Sequence, residues 1–460
     1  MEIGETLAAH PTAALEEAST FADLGLAAPI QQALDEMKYL TPTPIQKQAI
    51  PLVIAGHDLM AQAQTGTGKT AAFSLPLLQK MLVHANTSAS PARHPVRALV
   101  LAPTRELAMQ VHESVVAYSK HLPLRSTVVF GGVDMKPQEA VLKSGIEVLV
   151  ATPGRLLDHA TSKVVHLSQV QFLVLDEADR MLDMGFMPDL KRILNLLPTQ
   201  RQTLLFSATF DDNIVGLAKS FLQNPVRVEV ARRNTSAENV EQVVHKAREE
   251  GKLDALIRVV KVRDISQALV FTRTKISADK VGRRLQKRGI KAAIIHGDKA
   301  QIERLSALDD FKQGKVQLLV ATDIAARGID IADLPAVFNY ELPYSPEDYV
   351  HRIGRTGRAG ASGMAISLVA PDEERLLAGI ERFIKRDLPA SELPTSDFPS
   401  HAAVPVAQPA AQSLAAEGPA KDTPAAVVGG VVKPSVPVRR RKEVLCALLR
   451  PPVRNNATTT

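Results

Sequence analysis

Short apolar runs recur along this chain, and each closes in a polar or glycine-containing turn that leads into a stretch of helical spacing. In the first half they are Leu59–Ala61, Ala98–Ala102, Thr127–Phe130, Val148–Ala151, Phe172–Leu175 and Thr203–Phe206. β-Branched runs that alternate with helices indicate a parallel sheet covered on both faces. Ahead of them, Phe21 to Gln48 holds two short helical patterns broken by Thr41-Pro-Thr-Pro44. Periodicity is lost at 230–239, which reads as a linker. The alternation resumes at Ala268–Phe271, Ala292–Ile295, Val316–Ala321, Val337–Tyr340 and Ala365–Val369. The prediction is therefore two α/β domains, 21–229 and 240–389, with no close sequence repeat between them. Residues 1–20 are Ala-rich and polar and read as a disordered N-terminus. Residues 390–460, rich in Ala, Pro, Val and Ser, read as a disordered tail that cannot bury enough apolar surface to offset its ordering entropy. Its basic cluster, Arg439-Arg-Arg-Lys442, is either a non-specific contact with nucleic acid or a solvated stretch.

Composition narrows the picture. At 460 residues the chain exceeds one core, and 45% hydrophobic content supplies large buried sheets. The net charge of +6 suits a polyanionic partner, or simply reflects surplus surface Lys and Arg. The single cysteine, Cys446, excludes an intrachain disulfide and fits a reducing compartment. No apolar run approaches the roughly 18 residues that cross a bilayer, and Met1-Glu-Ile-Gly-Glu5 lacks the basic start of a signal peptide. A cytoplasmic protein without a membrane partner is expected. Tryptophan is absent and aromatics are 4%, which argues against extensive base stacking on aromatic platforms.

Candidate chemistry falls just past the predicted strands, where parallel α/β sheets hold their ligands. Between the run ending at Ala61 and a helix starting near Lys69 lies Ala63-Gln64-Thr65-Gly66-Thr67-Gly68-Lys69-Thr70. Gly66 and Gly68 let the backbone wrap an anion with its N–H groups inward, and the helix adds its positive dipole end. On this reading Lys69 reaches the β- and γ-phosphates of a nucleotide and the Thr70 hydroxyl holds magnesium. The general phosphate-loop pattern has glycine where this chain has Ala63. A glycine-rich turn with an incidental Lys-Thr is the plain alternative, and the flanking strand and helix count against it.

After Phe172–Leu175 comes Asp176-Glu177-Ala178-Asp179. Asp176 would hold magnesium, partly through water, and Glu177 would polarise the attacking water. A solvated acidic turn is the alternative, less fitting beside a phosphate loop. The second half supplies opposite charge in His351-Arg-Ile-Gly-Arg-Thr-Gly-Arg358, where Arg355 and Arg358 would stabilise charge developing on a γ-phosphate across a cleft.

With these motifs in this order, the chain resembles the DEAD-box ATP-dependent RNA helicases from Phe21 to about Pro389. Within that family it resembles the bacterial RhlE type, through Val320-Ala-Thr-Asp-Ile-Ala-Ala-Arg-Gly-Ile-Asp-Ile331 and a Pro-rich tail in place of a folded C-terminal module. The resemblance implies two tandem RecA-like domains, ATP and Mg2+ as cofactors, and RNA as partner. It makes Ala63 the family's own form of the phosphate loop. Thr43-Pro-Ile-Gln46 resembles the adenine-reading motif, whose region spans about 19–47. Gln46, with a donor and an acceptor, would pair with adenine N6 and N7. Tyr39 stands where the family stacks an aromatic on the base, and Phe21 matches its isolated upstream aromatic. The family has glycine before that aromatic, where this chain has Lys38. Ser207-Ala208-Thr209 resembles the motif that links hydrolysis to strand separation, its hydroxyls bonding to the acidic motif that ends at Asp179. Asp330 would reach ATP from the second domain by way of the ribose. Asp323 and His351 are implied in the same coupling network.

The RNA contacts implied by the family are Pro103, Thr104 and Arg105, Gly131 and Gly132, and Thr152, Pro153, Gly154 and Arg155 in the first domain. In the second they are Arg273, Gly297 and Asp298, Gln301 and Arg304, and Thr322. His296 is either a contact or a packed core histidine. These residue types suit phosphate and ribose, so the site would read backbone shape and 2′-hydroxyls with little base preference. The implied function is RNA-stimulated ATP hydrolysis coupled to domain closure, RNA bending and local, non-processive unwinding of short duplexes or remodelling of RNPs. An ATP-gated RNA clamp or chaperone with incidental unwinding carries the same motifs. A DNA translocase on the same core is disfavoured by Asp176–Asp179 and Gln46. Ribosome assembly intermediates and the RNA decay machinery are candidate partners.

Overall fold

The computed structural model describes residues 20–63, 66–230, 240–326, 329, 331, 334–357, 363–388 and 390–393. Among them, thirteen strands form two sheets in which every pairing is parallel. The first contains β1 (Leu59–Gln62), β2 (Ala98–Leu101), β3 (Ser126–Val129), β4 (Val148–Ala151), β5 (Phe172–Leu175), β6 (Gln202–Ser207) and β7 (Val226–Glu229), in the order β3-β4-β2-β5-β6-β1-β7. The second contains β8 (Val240–Lys246), β9 (Ala268–Thr272), β10 (Ala292–Ile295), β11 (Leu318–Thr322), β12 (Ala336–Asn339) and β13 (Gly363–Val369), in the order β10-β11-β9-β12-β13-β8.

Each sheet is buried on both faces. Val100, Val150, Val174 and Leu204 belong to one core, whereas Leu99, Leu149, Leu173 and Leu205 belong to another. Adjacent residues of a strand point to opposite faces, so these two cores lie on opposite sides of the first sheet. The second sheet repeats the arrangement, with Val270, Val320 and Phe338 on one side and Leu269, Leu319 and Val337 on the other. This double burial is why the central strands read as continuous apolar runs.

All eleven expected strands are present, within one or two residues. β7 and β8 were not legible. Both are edge strands with one neighbour: β7 pairs with β1 and β8 with β13. An edge strand tolerates outward polar residues, and Arg227, Glu229 and Glu241 are exposed. The result is a mixed run without the apolar signature. The two N-terminal helices are Ala28–Glu36 and Pro44–Ile54. The second begins with Pro at its first position behind Thr43, which forms a capping box with Gln46. The expected disordered segments 1–20 and 390–460 and the linker fall almost entirely outside the described residues.

Candidate functional site

Strand order sorts the candidate residues into two groups. In the first sheet β5, β6 and β1 are neighbours, so Asp176-Glu177, Ser207–Thr209 and the glycine loop leave adjacent strand ends. The residues expected at RNA follow β3, β4 and β2, which are neighbours on the other side. In the second sheet β10, β11 and β9 carry the expected RNA residues, while the arginine-rich turn follows β12 and the helix Pro346–Ile353.

The glycine loop enters the helix Lys69–Met81 through Gly66 and Gly68, whose φ values are 86° and 91°. A Cβ on Gly68 would lie 2.3 Å from the Gln46 amide nitrogen. Gln46 is buried there, with its Nε2 donating to Gly68 O at 3.1 Å and its Oε1 accepting from Thr43 N at 2.8 Å. The Thr43 hydroxyl donates to Thr67 O at 2.7 Å. The motif expected to read adenine is therefore built onto the phosphate loop. An amide carries two donors and two acceptor lone pairs, so Gln46 keeps one of each for a base. Tyr39 stacks on buried Phe21 at 6.2 Å between centroids and leans on Tyr118 at 6.1 Å. Lys38 has φ 59°, the left-handed conformation that glycine adopts easily, so the substitution leaves the turn in place at a local cost. Gln64 and Thr65 lie outside the described residues. Thr70 follows Lys69 in the first turn of the helix and is partly exposed.

Lys69 and Asp176 are both buried, with Lys69 Nζ 3.9 Å from Asp176 Oδ1. That oxygen has no hydrogen-bond partner. Burial raises the Asp176 carboxyl from 3.8 to about 6, opposed by Lys69 and assisted by the neighbouring Glu177 charge. For Glu177, burial alone would raise the carboxyl, but Lys69, Arg180 and Arg355 outweigh it and hold the group near 2. Arg180 Nη1 donates to Glu177 Oε2 at 2.8 Å, and both residues are buried. Glu177 itself sits at φ 52°, the sharp turn from β5 into the helix Ala178–Asp183. Two adjacent carboxylates are thus driven apart in acidity by their surroundings.

A measurable consequence concerns stability. A carboxyl whose folded pKa is raised contributes stability that is complete below its unfolded value and lost as pH rises through the folded one. Ionised Asp176 should therefore destabilise the ligand-free fold above pH 6 by on the order of 3 kcal/mol relative to acid. In urea unfolding of the ligand-free chain, the stability difference between Asp176→Asn and the parent should grow from about pH 4 to 6 and then level off. A difference that does not change with pH would contradict this account of the site.

Arg355 joins the two sheets electrostatically, since it comes from the second and acts on Glu177 of the first. It is buried and donates through Nη1 to Ile329 O at 2.8 Å. A second tie lies among the residues expected at RNA. Glu106 Oε1 accepts from Gln301 Nε2 at 2.8 Å and faces Arg304 Nη2 at 3.0 Å, while Arg105 Nη1 donates to Gln301 Oε1 at 3.0 Å. All but Arg105 are buried. Arg105 also lies against Gly132, where a Cβ would come within 2.1 Å of its guanidinium, and Gly132 has φ 81°. Gln301 and Arg304, expected to contact RNA, also form a bridge between the sheets.

Other expectations differ in detail. Asp179 meets the Ser207–Thr209 turn through the Ala208 backbone N–H, which donates to Asp179 Oδ2 at 2.9 Å, while Ser207 Oγ accepts from Thr209 N at 3.3 Å. Asp323 is held bidentately by buried Arg352, at 2.6 and 2.7 Å. Thr104 caps the helix Arg105–Tyr118 just after Pro103, while Thr152, Pro153, Gly154 and Arg155 open the helix Pro153–Thr161. Arg155 donates to Val133 O at 3.0 Å, and Gly131 lies beside Arg105. Thr322 is buried at the end of β11. Asp298 pairs with Lys275 at 2.6 Å, beside Gly297, whereas buried His296 bonds to Asp279 at 3.1 Å. Arg273 turns toward Glu373, 3.3 Å away. His351 is exposed on its helix. Asp330 and Arg358 lie outside the described residues. Sequence reasoning missed Arg180 and did not foresee the pairings of Glu106 and Arg352, which lie inside motifs it singled out. Only Arg180, three residues beyond Glu177 on a helix, carried a usable spacing signal.

Comparison with known proteins converges on one family. The DEAD/DEAH box helicase family model matches residues 43–216, and the helicase conserved C-terminal domain model matches 251–360. The chain is 44% identical over 379 residues to the DEAD-box ATP-dependent RNA helicase CshA of Bacillus cereus, covering 82% of this chain and 71% of the relative. The Bacillus subtilis CshA is 42% identical over 378 residues, covering 82% and 75%. Among solved structures, S. cerevisiae Dbp5 bound to RNA and ADP BeF3 is similar with a TM-score of 0.72 at 34% identity, covering 82% of this chain and 96% of that one. Mss116p bound to ssRNA and AMP-PNP follows with a TM-score of 0.71 at 28% identity, covering 81% and 78%. With the glycine loop, the Asp176–Asp179 turn and the arginine-rich turn of a second RecA-like sheet assembled as described, the chain belongs to the DEAD-box family of ATP-dependent RNA helicases.

Proposed function

We propose that the chain hydrolyses ATP in response to RNA, and that it uses the accompanying closure of its two sheets to bend a bound strand and open a few base pairs locally. The observation that carries this reading is geometric: buried Lys69 of the glycine loop lies 3.9 Å from Asp176, next to Glu177, and Arg355 of the second sheet contributes to holding Glu177 acidic. Lys69 grips the phosphates and Glu177 positions and polarises the attacking water. Arg355 and Arg358 stabilise the charge that develops on the γ-phosphate. Gln46 and Tyr39, backed by Phe21, select adenine, and Asp330 reaches the ribose.

Among the described residues no group of three or more His, Cys, Asp or Glu would hold a metal alone. Asp176 Oδ1, buried and without a hydrogen bond, and the hydroxyl of Thr70, next to Lys69 in the chain, would fit an ion whose other ligands are phosphate and water. Magnesium bound there neutralises phosphate charge. Asp179, the Ser207–Thr209 turn, Asp323 and His351 carry the nucleotide state toward the RNA residues. RNA itself meets Pro103–Arg105, Gly131, Gly132, Thr152–Arg155, Arg273, the Gly297–Asp298 turn, Gln301, Arg304 and Thr322 through phosphate and ribose.

Further elements of the reading are domain limits of 21–229 and 240–389, a cytoplasmic location, and work on ribosome assembly intermediates or RNA decay. Within the family, the run from Val320 to Ile331 supports an RhlE-like subgroup. Among the described residues no helix is long and apolar enough to cross a membrane.

Phosphate release by the full chain, with and without RNA and beside its first half (residues 1–229), tests the core of the proposal. RNA should stimulate the full chain only. An isolated first half that turns over ATP as fast as the whole, indifferent to RNA, would overturn it. Duplex release with ATP against a non-hydrolysable analogue then distinguishes an unwinding enzyme from an RNA clamp.

A further inference from the structure

Four large apolar side chains open to solvent follow adjacent strands of the second sheet. Along the edge they are Ile302 (78% exposed) after β10, Ile324 (65%) after β11, Ile276 (82%) after β9 and Tyr344 (76%) after β12. Single exposed apolar residues are ordinary on any surface. A series on neighbouring strand ends is not, and among the described residues the turns that follow the strands of the first sheet have no counterpart.

The surroundings indicate what the row receives. Ile276 and Ile302 occupy the first turns of the helices Lys275–Lys287 and Gln301–Lys312, whose amino ends favour anions. Lys275 crosses to Asp298 and links the β9 and β10 turns. Tyr344 lies 5.2 Å from the Arg273 guanidinium, which Glu373 holds at 3.3 Å. The ring is therefore supported by a fixed cation while remaining open to solvent. One flat ring and several aliphatic side chains, interleaved with cations and helix starts, match the alternation of base and phosphate in single-stranded nucleic acid. A purely apolar protein partner would gain nothing from that alternation.

We propose that Tyr344, with Ile276 and Ile302, forms an apolar ledge on which unpaired bases of the bound RNA strand stack. The ledge rests on the RNA-helicase reading and adds base sensing, independent of base identity, to a path otherwise made of backbone contacts. One aromatic ring flanked by aliphatic side chains is compatible with the sequence-based expectation that extensive base stacking on aromatic platforms is absent.

The test uses the full chain with a non-hydrolysable ATP analogue. Fluorescence anisotropy compares a short oligouridylate with the same strand carrying base-free riboses. The parent should prefer the base-bearing strand by about fivefold or more. Tyr344→Ala should erase most of that preference while its affinity for the base-free strand stays at the parent's value. Tyr344→Phe should retain the preference, and Ile276→Ser with Ile302→Ser should narrow it. A parent that binds both strands equally overturns the ledge, as does a Tyr344→Ala variant with its preference intact or with both affinities lowered alike. If RNA stimulates the parent's ATPase in those cases, the helicase reading survives without the ledge. If RNA does not stimulate the parent at all, both fall.

Discussion

Glu177→Gln should lower RNA-stimulated ATP turnover by about 10²- to 10⁴-fold while ATP and RNA binding persist. The replacement keeps the shape of the side chain, and its amide oxygen can still accept the Arg180 hydrogen bond now made at 2.8 Å. What it removes is a charge held close to a pKa of 2 by Lys69, Arg180 and Arg355 against the pull of burial. A group that acidic stays ionised throughout the physiological range, so it orients and polarises water more than it stores a proton. The backbone at Glu177, with φ 52°, costs about 1–2 kcal/mol in a residue other than glycine. Such strain belongs where the position of one carboxylate matters. Phosphate release under single-turnover conditions, beside fluorescent nucleotide titration, separates chemistry from binding. Turnover at the parent's rate would remove Glu177 from its role.

Glu106→Ala should weaken the coupling between RNA and ATP most among substitutions outside the nucleotide site. Its Oε1 receives Gln301 at 2.8 Å and faces Arg304 at 3.0 Å. Both partners are buried, and Arg304 Nε already lacks a hydrogen bond. Truncating one member of a buried charged pair costs about 2–5 kcal/mol, largely through the charge left behind. The bond joins different sheets, so the loss falls on the closed arrangement and spares each sheet by itself. The RNA concentration for half-maximal ATPase should rise about 30-fold or more. Melting of the ligand-free chain should change far less than that figure suggests. Unaltered RNA dependence would mean that the bridge forms without helping closure.

How far the sequence carried the reading depended on how local the physics was. Central strands were legible because burial on both faces leaves nothing but apolar residues, as in Phe172–Leu175. The glycine loop and the Asp176–Asp179 turn were legible because phosphate chemistry restricts residue types over a few consecutive positions. Lys38 shows the limit of such rules, since it stands where glycine was expected and adopts the left-handed conformation itself. Edge strands β7 and β8 escaped because half their residues face outward. The Glu106–Gln301–Arg304 bridge escaped because it joins residues 195 positions apart that follow strands of different sheets. Tyr344 escaped because no local pattern marks an aromatic whose importance comes from the neighbouring strand end.

β2 and β5 set a mechanical condition on the molecule. They are in register over Ala98–Leu101 and Phe172–Leu175, at the boundary between the strand ends that lead to nucleotide residues and those that lead to RNA residues. That seam is an unbroken ladder flanked by close-packed interiors, so the first sheet behaves as a stiff plank rather than a hinge. A signal cannot cross it by flexing. On the proposed function it travels outside the plank, through closure of the second sheet. Engineering that aims to disconnect ATP from RNA should therefore leave the ladder alone and alter what the plank touches.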